Sequence, residues 1–549
     1  MDTVTQLERE TEPETPLGPP PTLSASPPRP TKILFALLHP GYLRHYREPI
    51  RLLADRGHRV HMVLGRKEKD PGDFSLVEEL IATSPNVTYD IAPRRSKLDG
   101  WRRVAWFVRA VTDVSRYAHP RYADAPALRA RMAEKLHWRL GYSRLPRFVK
   151  PPMARFIDRL CSGADAQLAG RMERLLLRLE DAIPTAPVID EYIRKQQPDV
   201  LVATPVIEFA SSQVEFLKSA AKQGISTVIA VASWDNPTGK GLLRFIPDRA
   251  IVWNEIQLHE LEEMHRIGPE RVVLTGAQRF DWWVGREPRL DQQEFQLKVG
   301  LDPDRPYVLY LCSSQFIAPD EVSFVRRWLE ALRSAPDPAV REMGALVRPH
   351  PQNGEQWDGV DLSGYGNATV WPPFGQQPDA GEARADYFDS LYHCAAVIGV
   401  NTSAMLEAGL LGKSVYTIID PHFETQEGTL HFRYLRRENG GHLHESPSPE
   451  AHTEQLARGL ADAEAERAHT RRFIRTFLRP YGFEYAAAPI VAAAIEEVAL
   501  EPQPAPRRAR PSTLALRAPL AAVAGSITLV AKAARRLRLA KERPDEEEN

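Results

Sequence analysis

The chain predicts an α/β protein built from two doubly wound parallel-sheet domains in succession, the first carrying a helical insertion. Three observations predict it. Short, continuous apolar runs end in polar turns, a β-turn-α-β unit is complete within about 35 residues of the first such run, and the same rhythm restarts after residue 300. Lys32-Ile33-Leu34-Phe35-Ala36-Leu37-Leu38 is the composition of a strand buried on both faces. A polar turn follows at 39–45, then a helical pattern from about 48 to 56 closed by Gly57, then a strand at 59–64.

The segment from Arg94 to Arg159 interrupts this rhythm with helical periodicity and many aromatics, among them Trp101, Trp106, Phe107 and Trp138. It holds 17 Lys or Arg against 5 Asp or Glu, in a chain whose net charge is −1, so it is expected to offer a face to something anionic. Strand patterns resume at 199–203, 226–231, 250–253 and 272–274. The crossing between domains is expected between 276 and 306, with closure about 281–306. The second series runs through 307–311, 345–347, 397–400 and 415–418 and ends in an Ala-rich helix at about 484–500.

These boundaries give a disordered Pro-rich tail at 1–30, an N-terminal domain at 31–285 with its insertion at 93–195, a C-terminal domain at 286–500, and a linker with a basic amphipathic tail at 501–549. The tail's apolar middle, 518–531, is short for a membrane span and is expected to lie on an anionic surface. No 18-residue apolar run and no signal-peptide pattern are expected to take the chain into or across a membrane. With 549 residues, 43% of them hydrophobic and 26% charged, the chain reads as globular and longer than one core sustains. Its three cysteines, Cys161, Cys312 and Cys394, form no CxxC or Cys/His cluster, which argues against a disulfide framework or a zinc site and for a reducing cytoplasm.

The most informative stretch is Asn401-Thr402-Ser403-Ala404-Met405-Leu406-Glu407, between two strand patterns. A helix start rich in Asn, Thr and Ser offers backbone N–H groups and the positive end of the helix dipole to a phosphate, which suggests nucleotide-sugar binding. Plain capping explains Thr402 and Ser403 as well. Glu407 lies outside the spacing of a capping box, so its carboxylate is expected to be free for a sugar hydroxyl or to act as a dipole partner. Ligand sites in such sheets lie beyond the carboxyl ends of the strands, so Ser313-Ser314, Arg348-Pro349-His350 and Asn401-Thr402-Ser403 are expected to share one crevice. His350, between two prolines and beside Arg348, suits stabilisation of a leaving pyrophosphate, or simply orders its turn.

Local matches add a resemblance. Ser233-Trp234-Asp235-Asn236-Pro237-Thr238-Gly239-Lys240-Gly241, followed by Val252-Trp253-Asn254-Glu255 and Thr275-Gly276-Ala277-Gln278-Arg279-Phe280-Asp281, is similar to the end of the first domain in bacterial surface-carbohydrate transferases. Arg348-Pro349-His350-Pro351 resembles the Arg/Lys-x-His-Pro element of CDP-glycerol glycerophosphotransferase-like enzymes, and the stretch from Asn401 to Glu407 resembles the donor helix of the same group. The likeness is to the GT-B superfamily, which implies two Rossmann-like domains facing a central cleft. It implies a nucleotide-sugar or CDP-polyol donor held by Ser313, Ser314, Arg348, His350, Asn401, Thr402, Ser403 and Glu407, the last on the ribose. It further implies an acceptor base at His39, with His45 and the Asp235 carboxylate as alternatives, and Gly41, Asn236 and Lys240 on the acceptor side. Neither metal nor cofactor is implied, and Asp386 and Asp389 read as helical rather than metal-binding.

The expected activity is transfer of a sugar or polyol-phosphate group to a surface-glycan or lipid-linked acceptor at the cytoplasmic membrane face. A nucleotide-sugar 2-epimerase and a non-catalytic scaffold with the same fold are the alternatives. Basic charge with aromatics also marks single-strand nucleic-acid binding, but no nucleic-acid module accompanies it and no such partner is expected.

Overall fold

The computed structural model describes residues 19–23, 27, 29–65, 72–141, 150–161, 165–378, 381–423, 426 and 429–541. Most of the Pro-rich tail at 1–30, read from sequence as disordered, lies outside these residues. The chain forms two compact units, one of Pro21–Gln278 with Ala488–Asn549, the other chiefly of Arg279–Ala487.

In the first domain the strands are β1 (Lys32–Leu37), β2 (Arg59–Leu64), β3 (Val87–Ile91), β4 (Val200–Thr204), β5 (Ser226–Ala230), β6 (Arg249–Val252) and β7 (Val272–Leu274). They pair in parallel in the order β3-β2-β1-β4-β5-β6-β7, with Ile33 opposite both Val60 and Val200. β1, β4 and β5 are buried almost end to end, which is why they read as unbroken apolar runs rather than alternating ones. The order reverses between β1 and β4, the place where doubly wound sheets leave a crevice. Helices α1 (Leu43–Asp55) and α2 (Asp73–Thr83) cover one face over a core that includes Phe35, Tyr46, Ile50 and Val77.

Between β3 and β4, where a single crossover helix would suffice, the described residues form five α-helices: α3 (Gly100–Arg116), α4 (Pro126–Gly141), α5 (Lys150–Cys161), α6 (Ala166–Ala182) and α7 (Pro187–Gln196). Part of the segment's positive charge faces inward, so not all of it is available to the anionic partner the sequence suggests. Arg109 is buried between Glu180 at 2.9 Å and Glu215 at 3.1 Å, and Arg116 donates to the carbonyls of Gly241 and Pro237. Buried cations persist only where partners of this kind replace water.

The second domain pairs β8 (Tyr307–Leu311), β9 (Gly344–Arg348), β10 (Ala368–Val370), β11 (Ala396–Gly399), β12 (Val415–Ile418) and β13 (Leu443–Ser446) in the order β10-β9-β8-β11-β12-β13, again all parallel. Its reversal falls between β8 and β11. Helices α8 (Gly381–His393) and α9 (Ala404–Leu410) flank β11 in sequence. Asp386 and Asp389 lie on α8: Asp389 accepts from the backbone of Arg289 and Leu290, and Asp386 pairs with Arg289 and Lys298.

Three boundaries differ from expectation. The chain passes between units at 278/279, inside the expected 276–306 crossing but ahead of the 285/286 boundary, and again at 487/488, and Asp281 fastens the second unit's ends by pairing with Arg479 and accepting from the backbone of Ala487. Helix α10 (Ala487–Leu500) belongs to the first domain's core, where Val491, Ile495 and Val498 are buried, although it follows the second domain in sequence. Its Glu496 receives Arg56 at 2.9 Å and His58 at 2.6 Å. Finally, α11 (Pro511–Lys541) is one 31-residue helix, and Pro511–Arg536 is long and apolar enough to cross a membrane, so the expectation of no such run is corrected. Arg517, Ser526 and Thr528 disguised it by splitting the apolar pattern. Leu520, Ala524 and Ile527 dock on Val104, Ala105 and Val108 of α3, where Gly100 meets the backbone of Ala524 so closely that an added Cβ would lie 1.9 Å from its carbonyl oxygen.

Candidate functional site

In the second domain the polar ends of β8 and β11 meet at the order's reversal, and the loop after β9 reaches them through Asn353. The Asn401 backbone after β11 donates to Ser313 Oγ after β8 at 3.2 Å, and Asn353, just beyond β9, donates to the Ser313 carbonyl at 3.2 Å. Ser313 is therefore a buried tie between strand ends, its own N–H held by Glu321 at 2.9 Å, and Ser314 begins the next turn by accepting from Ile317 and Ala318. Asn401 is likewise buried, donating to the Gln426 carbonyl and Thr429 Oγ1. Neither Ser313 nor Asn401 presents its side chain as the expected donor contact. Thr402 accepts from the Ala404 backbone at 3.4 Å, while Ser403, at the cap position of α9, makes no side-chain cap bond.

Arg348 is the outlier. Its side chain leaves the end of β9 into the interior, where it is only 5% exposed, and neither Nη1 nor Nη2 has a hydrogen-bond partner among the described residues. What surrounds it is aromatic: the guanidinium lies 4.8 Å from the Tyr387 ring centroid and 5.5 Å from that of Trp371. Burial pulls its pKa down to about 10, so the group stays cationic at neutral pH. A buried cation without hydrogen bonds costs several kcal/mol, of order 1–3 or more for each unsatisfied group.

Glu407 is not free, contrary to expectation. Its Oε2 accepts the Tyr387 hydroxyl, and Oε1 lies 3.7 Å from Arg279. Burial raises its pKa, against Arg279, Arg384 and Arg348, so three guanidiniums act on one carboxylate and the locale keeps an excess of positive charge. His350 accepts the Gln352 N–H on Nδ1 at 3.1 Å, which leaves the proton of the neutral ring on Nε2 and supports the turn-ordering role first.

In the first domain the candidates gather at the ends of β1 and β5. The Tyr42 ring lies 4.5 Å from that of His39 and 5.7 Å from that of His45, centroid to centroid. Burial and the nearby Glu208 and Asp235 carboxylates push its hydroxyl pKa up. His39 Nδ1 lies 4.0 Å from Asp73, a fully buried carboxylate that also receives Arg44 at 2.7 Å. Gly41 is required by that pair, since a Cβ there would meet Arg44 and Asp73 at 2.8 Å. Asp235 sits 3.6 Å from Lys240, whose ammonium it holds in the charged form. Asn236 is spent on the turn, accepting from Ala232 and Ser233.

Sequence reasoning missed Asp73, Glu208, Arg279, Glu321 and Tyr387. Pro71-Gly72-Asp73 reads as a helix start and Asp320-Glu321 as another, so both carboxylates pass for dipole partners. Arg279 lay inside a quoted motif, and only its role went unread. Tyr387 carries no signal beyond an apolar helix face.

No family model and no curated protein matches the chain. Among solved structures it is similar to a glycosyltransferase from Rickettsia africae, at 12% identity over 86% of this chain and 99% of that one, with a TM-score of 0.46. It is also similar to UDP-GlcNAc 2-epimerases, one from Methanocaldococcus jannaschii in complex with UDP-GlcNAc and UDP (11% identity, 84% and 99% covered, TM-score 0.43) and one from Neisseria meningitidis bound to UDP-GlcNAc (10%, 85% and 100%, TM-score 0.44). The fold stands on the strand orders themselves: each domain is a doubly wound parallel α/β unit with its candidate residues beyond the carboxyl ends of central strands.

Proposed function

We propose that the chain is a GT-B-type transferase that moves a sugar or polyol-phosphate group from a nucleotide-activated donor to a surface-glycan or lipid-linked acceptor at the cytoplasmic membrane face. The observation that carries this reading is Arg348, a buried guanidinium with unused donors at the carboxyl end of β9, the strand beside β8 where the second sheet's order reverses. A donor diphosphate would satisfy those donors with charge-assisted hydrogen bonds, and the surrounding aromatic faces exclude the water that would otherwise screen them. As the bond to the departing nucleotide breaks, negative charge grows on the diphosphate, and a cation fixed beforehand stabilises it more than it stabilises the ground state. Arg279 and Arg384 add to the field, and the Tyr387–Glu407 pair holds the Arg348 surroundings in place.

On the acceptor side, His39 is the proposed base. A neutral imidazole accepts the hydroxyl proton, and Asp73, 4.0 Å away, stabilises the imidazolium that results. Asp235, 3.6 Å from Lys240, is the carboxylate alternative.

The first test is thermal stability with UDP, CDP, GDP and CMP on the wild type and on Arg348→Met. At least one diphosphate should stabilise the wild type, by about 2.7 kcal/mol at a hundredfold excess over its Kd, and not the variant. If none acts, or if both proteins respond equally, Arg348 is not a donor contact. Incubation with nucleotide sugars and no acceptor then separates transfer from epimerisation: release of an epimerised sugar would sink the transferase reading.

A further inference from the structure

A cavity of about 1130 Å³ lies wholly within the first domain, above the roughly 300–1,000 Å³ typical of small-molecule pockets. Its walls are apolar and come from the insertion and the C-terminal helix: Val104 and Val108 of α3, Met153 and Ile157 of α5, Leu520 and Ile527 of α11. The charged residues that line it divide into two sets. Arg95, Arg109 and Glu215 are buried: the two guanidiniums share Glu215, at 2.9 Å and 3.1 Å, and pair further with Asp99 and Glu180, which do not line the cavity. Arg94, Lys97, Arg102 and Arg103 are exposed, and no carboxylate other than Glu215 lines the cavity among the described residues. The opening is thus cationic and the interior hydrocarbon-like.

Helix α11 relates this cavity to a lipid surface. Val523 lines the cavity yet is 53% exposed, and Leu529 and Val530, 70% and 67% exposed, point away from the protein on a helix apolar enough to enter a bilayer. Lys532, Arg535 and Arg536 follow, all exposed, as on helices that sit at anionic interfaces. Leu37 and Leu38, which directly precede His39 in the chain, also line the cavity.

We propose that this cavity takes the hydrocarbon chain of a phosphate-headgroup lipid, the phosphate meeting Lys97, Arg102 and Arg103 and the group beyond it leading toward His39. The proposal deepens the transferase reading and rests on it, because it makes this lipid the carrier of the acceptor.

The test uses the full chain and two probes below their micellar concentrations, a brominated dodecyl phosphate and the matching brominated dodecanol, whose bromine quenches a neighbouring indole. Trp106 lines the cavity and serves as reporter. The phosphate probe should quench saturably and bind at least about tenfold tighter than the alcohol, a difference that Arg102→Glu with Arg103→Glu should abolish. Val523→Asp, at a half-exposed wall, should weaken both probes, and Trp106→Phe should lose most of the quench. Equal affinity of the two probes, indifference to the charge reversals, or undiminished quenching in Trp106→Phe would each overturn the assignment. Nucleoside diphosphate stabilisation of the same variants reports on the other domain. Loss of the cavity result with nucleotide binding intact overturns the lipid site alone, whereas saturable lipid binding in a protein that answers no nucleotide overturns the transferase reading alone.

Discussion

At the scale of residues, two buried charges in the second domain show how burial divides structural from functional roles. Arg348 has no hydrogen-bond partner for either Nη atom, whereas Glu321 has several: the Ser313 N–H at 2.9 Å, the Tyr310 hydroxyl at 3.1 Å, and no exposure to water. The first keeps the donors on which the proposed diphosphate contact rests, and the second is a tie that holds the β8 turn in place. Burial nevertheless raises the Glu321 pKa to about 8 from an ordinary 4.5. The folded state therefore binds this proton more tightly than the unfolded state does. Its stabilising contribution is complete below about 4.5 and is lost as pH rises through about 8, with a slope of at most about 1.4 kcal/mol per pH unit. Urea unfolding of segment 279–487 across that window should show stability falling with pH. Glu321→Gln, which mimics the protonated acid, should flatten the curve. An unchanged slope in the variant would show that Glu321 is ionised throughout and that the decline has another source.

At the scale of elements, α11 is held by a contact that only glycine permits. Gly100 opens α3 against the Ala524 backbone, and its N–H donates to Thr528 Oγ1 at 2.9 Å. Gly100→Val places methyl groups where a carbonyl oxygen sits and should push the helix away. Amide hydrogen exchange over 511–541 is then expected to rise by about tenfold or more while that of β1 and β4 stays at its wild-type value; retained protection of α11 would show that its apolar docking alone suffices. This helix also marks where the sequence stopped being legible. Strands buried on both faces announce themselves as apolar runs, so β1, β4, β8 and β11 could be read directly, and the turns after them could be named as sites. The convergence of Ser313 with Asn401 followed from topology, but whether a side chain faces a ligand or its own backbone depends on rotamer and burial. That is why Glu407 was read as free, Ser313 as a donor contact and Asn236 as an acceptor-side residue, although all three are engaged within the protein. The span of α11 was hidden by one arginine and two hydroxyl residues, whose polar atoms are satisfied where they stand: Arg517 donates to the Ala182 carbonyl, Thr528 accepts from Gly100, and Ser526 donates to the Ala522 carbonyl of its own helix.

At the scale of the whole molecule, the order of the chain and the order of the folding units do not coincide. The first domain is interrupted by the second and completed by α10, so the last helix to be synthesised in the globular part closes the core formed by the first strands. Val491, Ile495 and Val498 are fully buried there, at roughly 1.5–3 kcal/mol apiece. Glu496 is the partner of Arg56 and of the wholly buried His58. Together these contributions rival the about 5–15 kcal/mol that holds a typical domain folded. The second unit, by contrast, contains its whole sheet within 279–487 and fastens its two ends through Asp281, Arg479 and Ala487. Segment 279–487 expressed alone should therefore unfold cooperatively in urea with native near-ultraviolet circular dichroism. Segment 21–278 alone should lack a cooperative transition and regain one when 488–541 is supplied as a separate chain. A cooperative, full-strength transition for 21–278 by itself would show that α10 covers a core already complete, and that the interruption of the first domain is a matter of connectivity rather than of stability.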